Sequence, residues 1–404
     1  MTTLLAPTRL PRDFWLYLAG LTATAVADAV LFVALPFVVL GTGSGQAGLG
    51  TTVLAASLPR FLAPLLGTLA DRLPGRAVLT VSALVRAVLL AGVAVLALTG
   101  HAALPLLATF AFLNGCLVTL SFTAGSALVP RLVGAAQRPQ ANSLSSASLM
   151  GLPLVGYGLG GLLIHLVGSQ HTLLAGLPLY LLTALSALLL RPVVASGPAR
   201  PGPFLADLRT GAPTVRSQPL VMVMILLSFA MNLTLNVVNV RAPLFMQRAG
   251  PGAGGYALFE GLSAGGSLVG ALAVGVLMRR ASADRLINAG RLLCVLAVLL
   301  LAAPQTNVWF TAAPLLGLSL GLLEVAAVTR LQGLVAAETL GRVMGVFLGL
   351  NALGLSAGAG LGAARLPSMP LFFGLAALLG ALGLLYGRAV RAPGHAGGGS
   401  GSGA

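Results

Sequence analysis

Apolar residues in this chain come in long unbroken runs separated by short polar gaps. Six runs, at residues 14–40, 47–69, 77–98, 104–128, 141–167 and 172–190, are followed by six more at 220–245, 256–278, 286–303, 308–329, 344–363 and 370–386. Each is close to the roughly 20 residues that an α-helix needs to cross the hydrocarbon of a bilayer. The pattern predicts an all-α membrane protein of about twelve transmembrane helices, here segments 1 to 12, in two six-helix bundles. The expected division is an N-terminal bundle at 1–190, a linker at 191–219, a C-terminal bundle at 220–390 and a tail at 391–404. Pro192, Pro198, Pro201, Pro203, Pro213 and Pro219 mark the linker as non-spanning, with one short interfacial helix possible near Phe204. The tail ends in GGGSGSGA, a flexible composition.

Composition removes the soluble alternatives. Of 404 residues, 57% are hydrophobic and 8% charged, with mean hydropathy +0.98. A soluble domain carries about 25% charged residues, so the solvent for most of this surface is lipid. The formal net charge of +15 does not mark a nucleic-acid partner. All 23 basic residues are arginines, and most sit in the gaps between apolar runs, as topology-setting charges do. With the N-terminus inside, sixteen arginines fall in cytoplasmic loops and tails, from Arg9 and Arg12 to Arg388 and Arg391, against only Arg248 and Arg365 outside. Both termini are therefore expected in the cytoplasm of a bacterium, with the chain in its inner membrane. The first span follows Arg9 and Arg12 without a cleavage-site pattern and reads as a retained helix. Cys116 and Cys294 lie far apart within apolar runs, and His101, His165, His171 and His395 lack ligand spacing. No metal or other cofactor is expected. P-loop, HExxH and GxSxG motifs are absent, which excludes the corresponding enzymes and ATP-driven transport by this chain alone.

Segments 2 and 8 end alike: Gly67-Thr68-Leu69-Ala70-Asp71-Arg72 and Gly275-Val276-Leu277-Met278-Arg279-Arg280 each place a glycine four residues before a charged pair. Six-helix repeats are one way of building a secondary transporter. The first stretch continues as Leu73-Pro74-Gly75-Arg76 and is similar to the G-x-L-A-D-R-x-G-R-R loop of the major facilitator superfamily, with Pro74-Gly75 in place of the Gly-Arg. Ala141-Asn142-Ser143, after Val129-Pro130-Arg131, opens segment 5 as in that family. Gly156-Tyr157-Gly158-Leu159-Gly160-Gly161 is similar to the antiporter motif G-P-x-x-G-G, with Tyr157 at the proline position, and Gly341-Arg342-Val343 resembles the loop between segments 10 and 11. The chain thus resembles the major facilitator superfamily, and within it the drug:proton antiporter branch that contains macrolide efflux proteins and the enterobactin exporter. The resemblance implies alternating access by two bundles around a cavity lined by segments 1, 4, 7 and 10. It also implies a cytoplasmic latch built from Gly67, Asp71, Arg72, Arg76 and Arg342. Asp71 would be stabilised near a helix N-terminus by roughly 0.3–1 kcal/mol, and Gly67 would allow close helix approach.

Ionisable residues inside apolar runs are the other candidates, because each costs several kcal/mol in lipid unless paired or hydrated. Asp28 is near the middle of segment 1 and Arg60 near the middle of segment 2, so these two form the expected ion pair, with Arg86 of segment 3 as a competing partner. Asp28 would exchange a proton, be a permanent structural bridge, or touch substrate directly; burial favours its neutral form and an arginine its charged form. Glu324 lies on segment 10, about 7 Å to the cytoplasmic side of its centre, as a second proton carrier or a carboxyl hydrogen-bonded to a neighbouring helix. Asn232, Asn236 and Asn239 share one face of segment 7, facing the cavity or bonding between helices. Gly156, Gly160 and Gly161 serve close packing or a hinge. Glu260 is expected at the start of segment 8 near the outer surface, and Arg241 and Arg291 near helix ends, where they can snorkel.

These features predict a secondary active transporter, a proton-coupled exporter of a lipophilic or amphipathic small molecule by alternating access. Its partners are that substrate, protons and the lipid bilayer, and it is expected to be a monomer. A facilitator or importer of a metabolite or lipid-like substrate is the alternative within the same fold, and a non-transporting membrane scaffold or sensor is the alternative outside it.

Overall fold

The computed structural model describes residues 10–191, 213 and 215–391, apart from the side chains of residues 64, 71, 337, 338 and 341. The bulk of the expected linker, the tail and the Asp71 side chain lie outside the described residues. Every described regular element is helical. The longer helices are α1 (Arg12–Gly41), α2 (Gly45–Ser57), α3 (Ala63–Arg72), α4 (Gly75–Leu98), α5 (Leu104–Leu132), α6 (Arg138–Thr172) and α7 (Gly176–Leu188). They continue as α8 (Pro219–Ala249), α9 (Gly252–Leu277), α10 (Ala283–Leu301), α11 (Thr306–Leu334), α12 (Ala337–Ala363) and α13 (Ser368–Arg391). All twelve apolar segments fall on helices. Among the described residues, nine stretches are long and apolar enough to cross a membrane. One of these, Ala135–Leu188, contains both α6 and α7.

Segment 2 departs from the expected continuous span. It is split into α2 and α3 by a 3-10 segment, Leu58–Leu62. Pro59 and Pro64 bracket the break, and each removes a backbone donor that an α-helix interior requires. Segments 5 and 6 part where Gly168 adopts φ +83°, a left-handed conformation that glycine takes without steric cost.

The chain forms two compact units: Met1–Pro201 with Val240–Gly261, and Gly202–Asn239 with Leu262–Ala404. In the first, α1 packs along α6 and α7, α4 lies against α5 and α7, and α2 and α3 lie against α5. Its core gathers Leu31, Leu90, Val93, Phe110 and Tyr180. Small residues bring α1 and α6 together. A Cβ on Gly156 would meet Ala29 Cβ at 2.5 Å and the Val26 carbonyl oxygen at 2.8 Å, so only glycine fits that crossing. In the second unit α10 packs against α11 and α13, and Gly354 lets α12 approach the Phe229 carbonyl of α8. Large apolar side chains remain outside: Val81, Val88 and Val95 form an exposed stripe along α4 with the spacing of two turns. Such a stripe suits lipid, which solvates it without cost.

Candidate functional site

Asp28 sits past the midpoint of α1, and Arg86 at the middle of α4. The two form an ion pair through Arg86 Nη2 and Asp28 Oδ1. The partner of Asp28 is therefore Arg86, the expected competitor, and not Arg60. Arg60 lies on the exposed surface of the 3-10 break, where the proline-bracketed turn replaces regular helix. Its position shows why shared depth was insufficient: the break changes which direction residue 60 faces.

Two further side chains complete the cluster. Tyr180 of α7, fully buried, donates its hydroxyl to Asp28 Oδ1 at 2.7 Å and accepts from Arg86 Nη2 at 2.7 Å. Asn114 of α5 accepts from Arg86 Nε at 2.9 Å, and the guanidinium lies over the Tyr180 ring, 4.3 Å from its centre. Side chains from three helices thus converge on one arginine of a fourth. Arg86 is 2% exposed whereas the Asp28 side chain is 33% exposed, so the pair has a dry end and an accessible end. Both hydrogen bonds to Asp28 go to Oδ1, leaving Oδ2 without a protein partner among the described residues. The sequence reading missed Asn114 and Tyr180; the available signal was a lone amide and a lone phenol inside apolar runs.

Asp28 and Arg86 line a cavity of about 290 Å³ inside the first unit. It extends from Asp28 toward the bundle end where α1 begins and α5 and α7 finish, past Tyr17, Thr24, Ser126 and Leu190. Asn142 and Ser145, at the start of α6, line it too. The Ser145 Oγ is buried and has no hydrogen-bond partner among the described residues. The wall therefore combines a carboxylate, unused hydroxyl capacity and apolar surface from Leu79, Val118 and Phe122. Such a lining accommodates a molecule with both polar and apolar parts.

The remaining candidates lie elsewhere. Asn236 donates to the Leu355 carbonyl of α12 at 2.8 Å, Asn239 donates to Asn236 Oδ1 at 3.0 Å, and Asn232 donates to the Ser228 carbonyl at 3.0 Å. This amide row ties α8 to α12 and to its own backbone. Glu324 is exposed on α11. Gly156 and Gly160 seat α6 on α1, Gly161 faces Ala257 of α9, and the helix stays regular through them. The left-handed residue is Gly168, beyond that motif. Gly67 faces Thr123, where a Cβ would make an ordinary 3.7 Å contact, so packing within its unit does not demand glycine there. Arg72 and Arg342 are exposed and Arg76 is half-buried.

Three expected surface charges are buried. Glu260 lies two turns into α9, because that helix begins at Gly252, and is 9% exposed. The Tyr256 hydroxyl hydrogen-bonds its carboxyl, Oε1 has no partner among the described residues, and Tyr256 is flanked by Phe32 and Phe37 of α1. Arg241 and Arg291 are likewise buried, at 6% and 8% exposed.

Helices of membrane-crossing length and composition among the described residues mark a multi-pass membrane protein, and the family it matches is one of transporters. The chain belongs to the major facilitator superfamily, whose sequence profile matches residues 17–359. Comparison with curated proteins finds no match. Solved structures of similar fold include the nucleoside transporter NupG, with TM-score 0.76 and 12% identity, covering 94% of this chain and 100% of that one. A bacterial homologue of the human lysosomal transporter Spinster, inward-facing and unoccupied, has TM-score 0.68 and 14% identity, covering 95% and 96%. A bacterial metal transporter gives TM-score 0.68 and 14% identity, covering 95% and 100%. At these identities the likeness establishes the fold.

Proposed function

We propose that the chain is a proton-coupled exporter of a lipophilic or amphipathic small molecule, akin to the drug:proton antiporter branch, working by alternating access between bundles 1–190 and 220–390 joined by a cytoplasmic linker. One observation carries the reading. Asp28, an acid at mid-helix depth, lines a cavity with one oxygen held by Arg86 and Tyr180 and the other without a partner among the described residues. A proton arriving at Oδ2 converts the carboxylate to a neutral acid and cancels its attraction to Arg86. The guanidinium, held by Asn114 and Tyr180, keeps its place, so the change is transmitted as a loosening of α1 against α4 and α7. Substrate entering the same cavity competes for the same carboxylate, which makes proton and substrate occupancy mutually exclusive, the requirement of exchange. Glu324 serves as a second carrier on the C-terminal side. Gly67, Asp71, Arg72, Arg76 and Arg342 form the cytoplasmic latch that closes one face. The mixed apolar and hydroxyl lining supports an amphipathic substrate.

The test is reconstitution in proteoliposomes with a pH-sensitive dye inside. Addition of a transported substrate should drive proton movement opposite to substrate, and Asp28→Asn should abolish that movement while folded protein remains in the membrane. Substrate flux without proton movement would favour a facilitator, and substrate-dependent proton entry alongside substrate an importer. Absence of any flux for every ligand that binds would favour a scaffold.

A further inference from the structure

Within the second unit, a cavity of about 710 Å³ lies between the first turns of α10 and the last turns of α13. Four guanidinium-bearing residues line it: Arg285 and Arg291 from α10, Arg388 and Arg391 from α13. The carboxylate in its wall is Asp284, and that group is already engaged. Its Oδ1 accepts from Arg330 Nε at 2.9 Å and from the Tyr386 hydroxyl at 2.6 Å. The cavity therefore holds a concentration of positive charge that no carboxylate among the described residues neutralises.

Arg388 and Arg391 by themselves need no ligand, since cations at a helix C-terminus complement its dipole. Arg291 does. It is 8% exposed, two turns inside α10, and its hydrogen-bond acceptor is the neutral amide oxygen of Asn288, which takes Nη2 at 2.7 Å and Nε at 3.2 Å. No carboxylate pairs with it among the described residues. Burying a guanidinium without a counter-charge is unfavourable, and the fold has arranged for it: Gly383 of α13 provides the flat backbone against which the Arg291 side chain lies, a place any Cβ would occupy. A buried cation, seated by a glycine and facing a cavity with three more arginines, is built to meet an anion brought from outside the chain.

We propose that this cavity binds a phosphate-bearing anion, the headgroup of an acidic phospholipid. Arginine forks match phosphate oxygens in pairs, and basic pockets between spans at a membrane surface are suited to acidic headgroups. The flanks favour the lipid over a free ion. Leu292, Leu296 and Leu299 on α10 and Leu384 and Leu385 on α13 are exposed beside and beyond the cavity, giving an apolar track for acyl chains.

The experiment titrates the full-length purified chain in a mild detergent with dihexanoyl phosphatidylglycerol, dihexanoyl phosphatidylcholine and inorganic phosphate, reading bound states by native mass spectrometry. Phosphatidylglycerol should bind at least tenfold more tightly than phosphatidylcholine. Arg291→Gln should weaken it by roughly five- to tenfold, the factor that one arginine near an anionic surface contributes, and Gly383→Ala should do the same by displacing the Arg291 side chain. Arg388→Gln changes an exposed residue, so it reports even if the Arg291 variant does not fold, and a smaller weakening is expected. Equal affinity for the two lipids, or unchanged phosphatidylglycerol affinity in Arg388→Gln and Arg291→Gln alike, overturns the proposal. Phosphate displacing phosphatidylglycerol at equal concentration assigns the cavity to a soluble anion and overturns the lipid assignment; failure to displace supports it.

Discussion

Replacing Asp28 with asparagine keeps the side-chain size and the acceptor at the Oδ1 position, so Arg86 and Tyr180 retain a partner while the negative charge disappears. The Tyr180 hydrogen bond becomes a neutral one, a loss of about 1 kcal/mol, and the Arg86 bond keeps its cationic donor but loses the anionic acceptor. Arg86, 2% exposed, is then left as a buried cation without a counter-charge. Removing one member of a fully buried pair costs about 3–5 kcal/mol. The 33% exposure of Asp28 lets cavity water compensate in part, which sets the expected loss for Asp28→Asn at about 2–4 kcal/mol. Arg86→Gln leaves its uncompensated charge at the accessible end, where water reaches it, but strips partners from Asn114 and Tyr180. Removing both charges together relieves the electrostatic penalty of each single change. The double variant should therefore be less destabilised than the sum of the singles by about 2 kcal/mol. Unfolding of the purified variants in one detergent measures this cycle, and proteoliposome flux measures its functional side. Additivity within about 0.5 kcal/mol would mean that the ion pair stores no energy for a proton to release. Normal pH-dependent transport by Asp28→Asn would remove that residue from the mechanism.

Other consequences are as concrete. Gly156→Ala should destabilise by about 1–3 kcal/mol through overpacking, because its Cβ would meet Ala29 and Val26. Gly158→Ala, with nothing within 4 Å, should be neutral or stabilising by up to about 1 kcal/mol in the same unfolding assay. Glu260→Gln keeps an acceptor for Tyr256 and has no charge to bury, so its stability should equal or exceed that of the parent. Tyr256→Phe, which strips the carboxyl of its donor, should cost about 1–3 kcal/mol. If the Glu260→Gln variant is the less stable of the two, the seat of Glu260 has been misread. Asp71→Asn should shift the conformational balance toward the cytoplasm-open form, measured as faster labelling of a cysteine reporter on that side; unchanged labelling contradicts the latch. Asn236→Ala should loosen α8 against α12 by about 1–3 kcal/mol, since the Leu355 carbonyl loses its donor; unaltered unfolding would show that the amide row does not hold that seam.

What the sequence reveals about this protein is its depth profile. Runs of apolar residues fix how many helices there are and roughly where each crosses the membrane, because lipid penalises exposed polar atoms at every depth. That is why all twelve segments appear as helices; the junction of segments 5 and 6 falls at Gly168, whose positive φ interrupts the helix. The boundary of segment 8 failed for a related reason. The glycine-rich stretch 250–255 reads as a loop by propensity, yet it is helical from Gly252 onward, where α9 starts. The four added residues make about one more turn of helix, and Glu260 lies in the interior instead of at the rim.

Azimuth, the direction in which a residue faces around its helix, is not written in the same pattern. Arg60 and Arg86 share a depth with Asp28, and by depth alone the nearer neighbour in sequence is the better partner. The choice between them depends on rotation, and rotation is set by packing: Pro59 and Pro64 break segment 2 and turn Arg60 out, while Leu90, Val93 and Ala94 fix α4 in the core so that Arg86 faces inward. The same reasoning explains the amides on α8. Their spacing placed Asn232, Asn236 and Asn239 on one face, but only the close approach at Gly354 decides that this face meets a helix backbone. A buried charge in a membrane protein is thus recognisable from sequence as an anomaly that needs a partner. The partner is selected by the small residues and prolines that rotate the helices, so a search for it should begin from those residues and not from the nearest opposite charge.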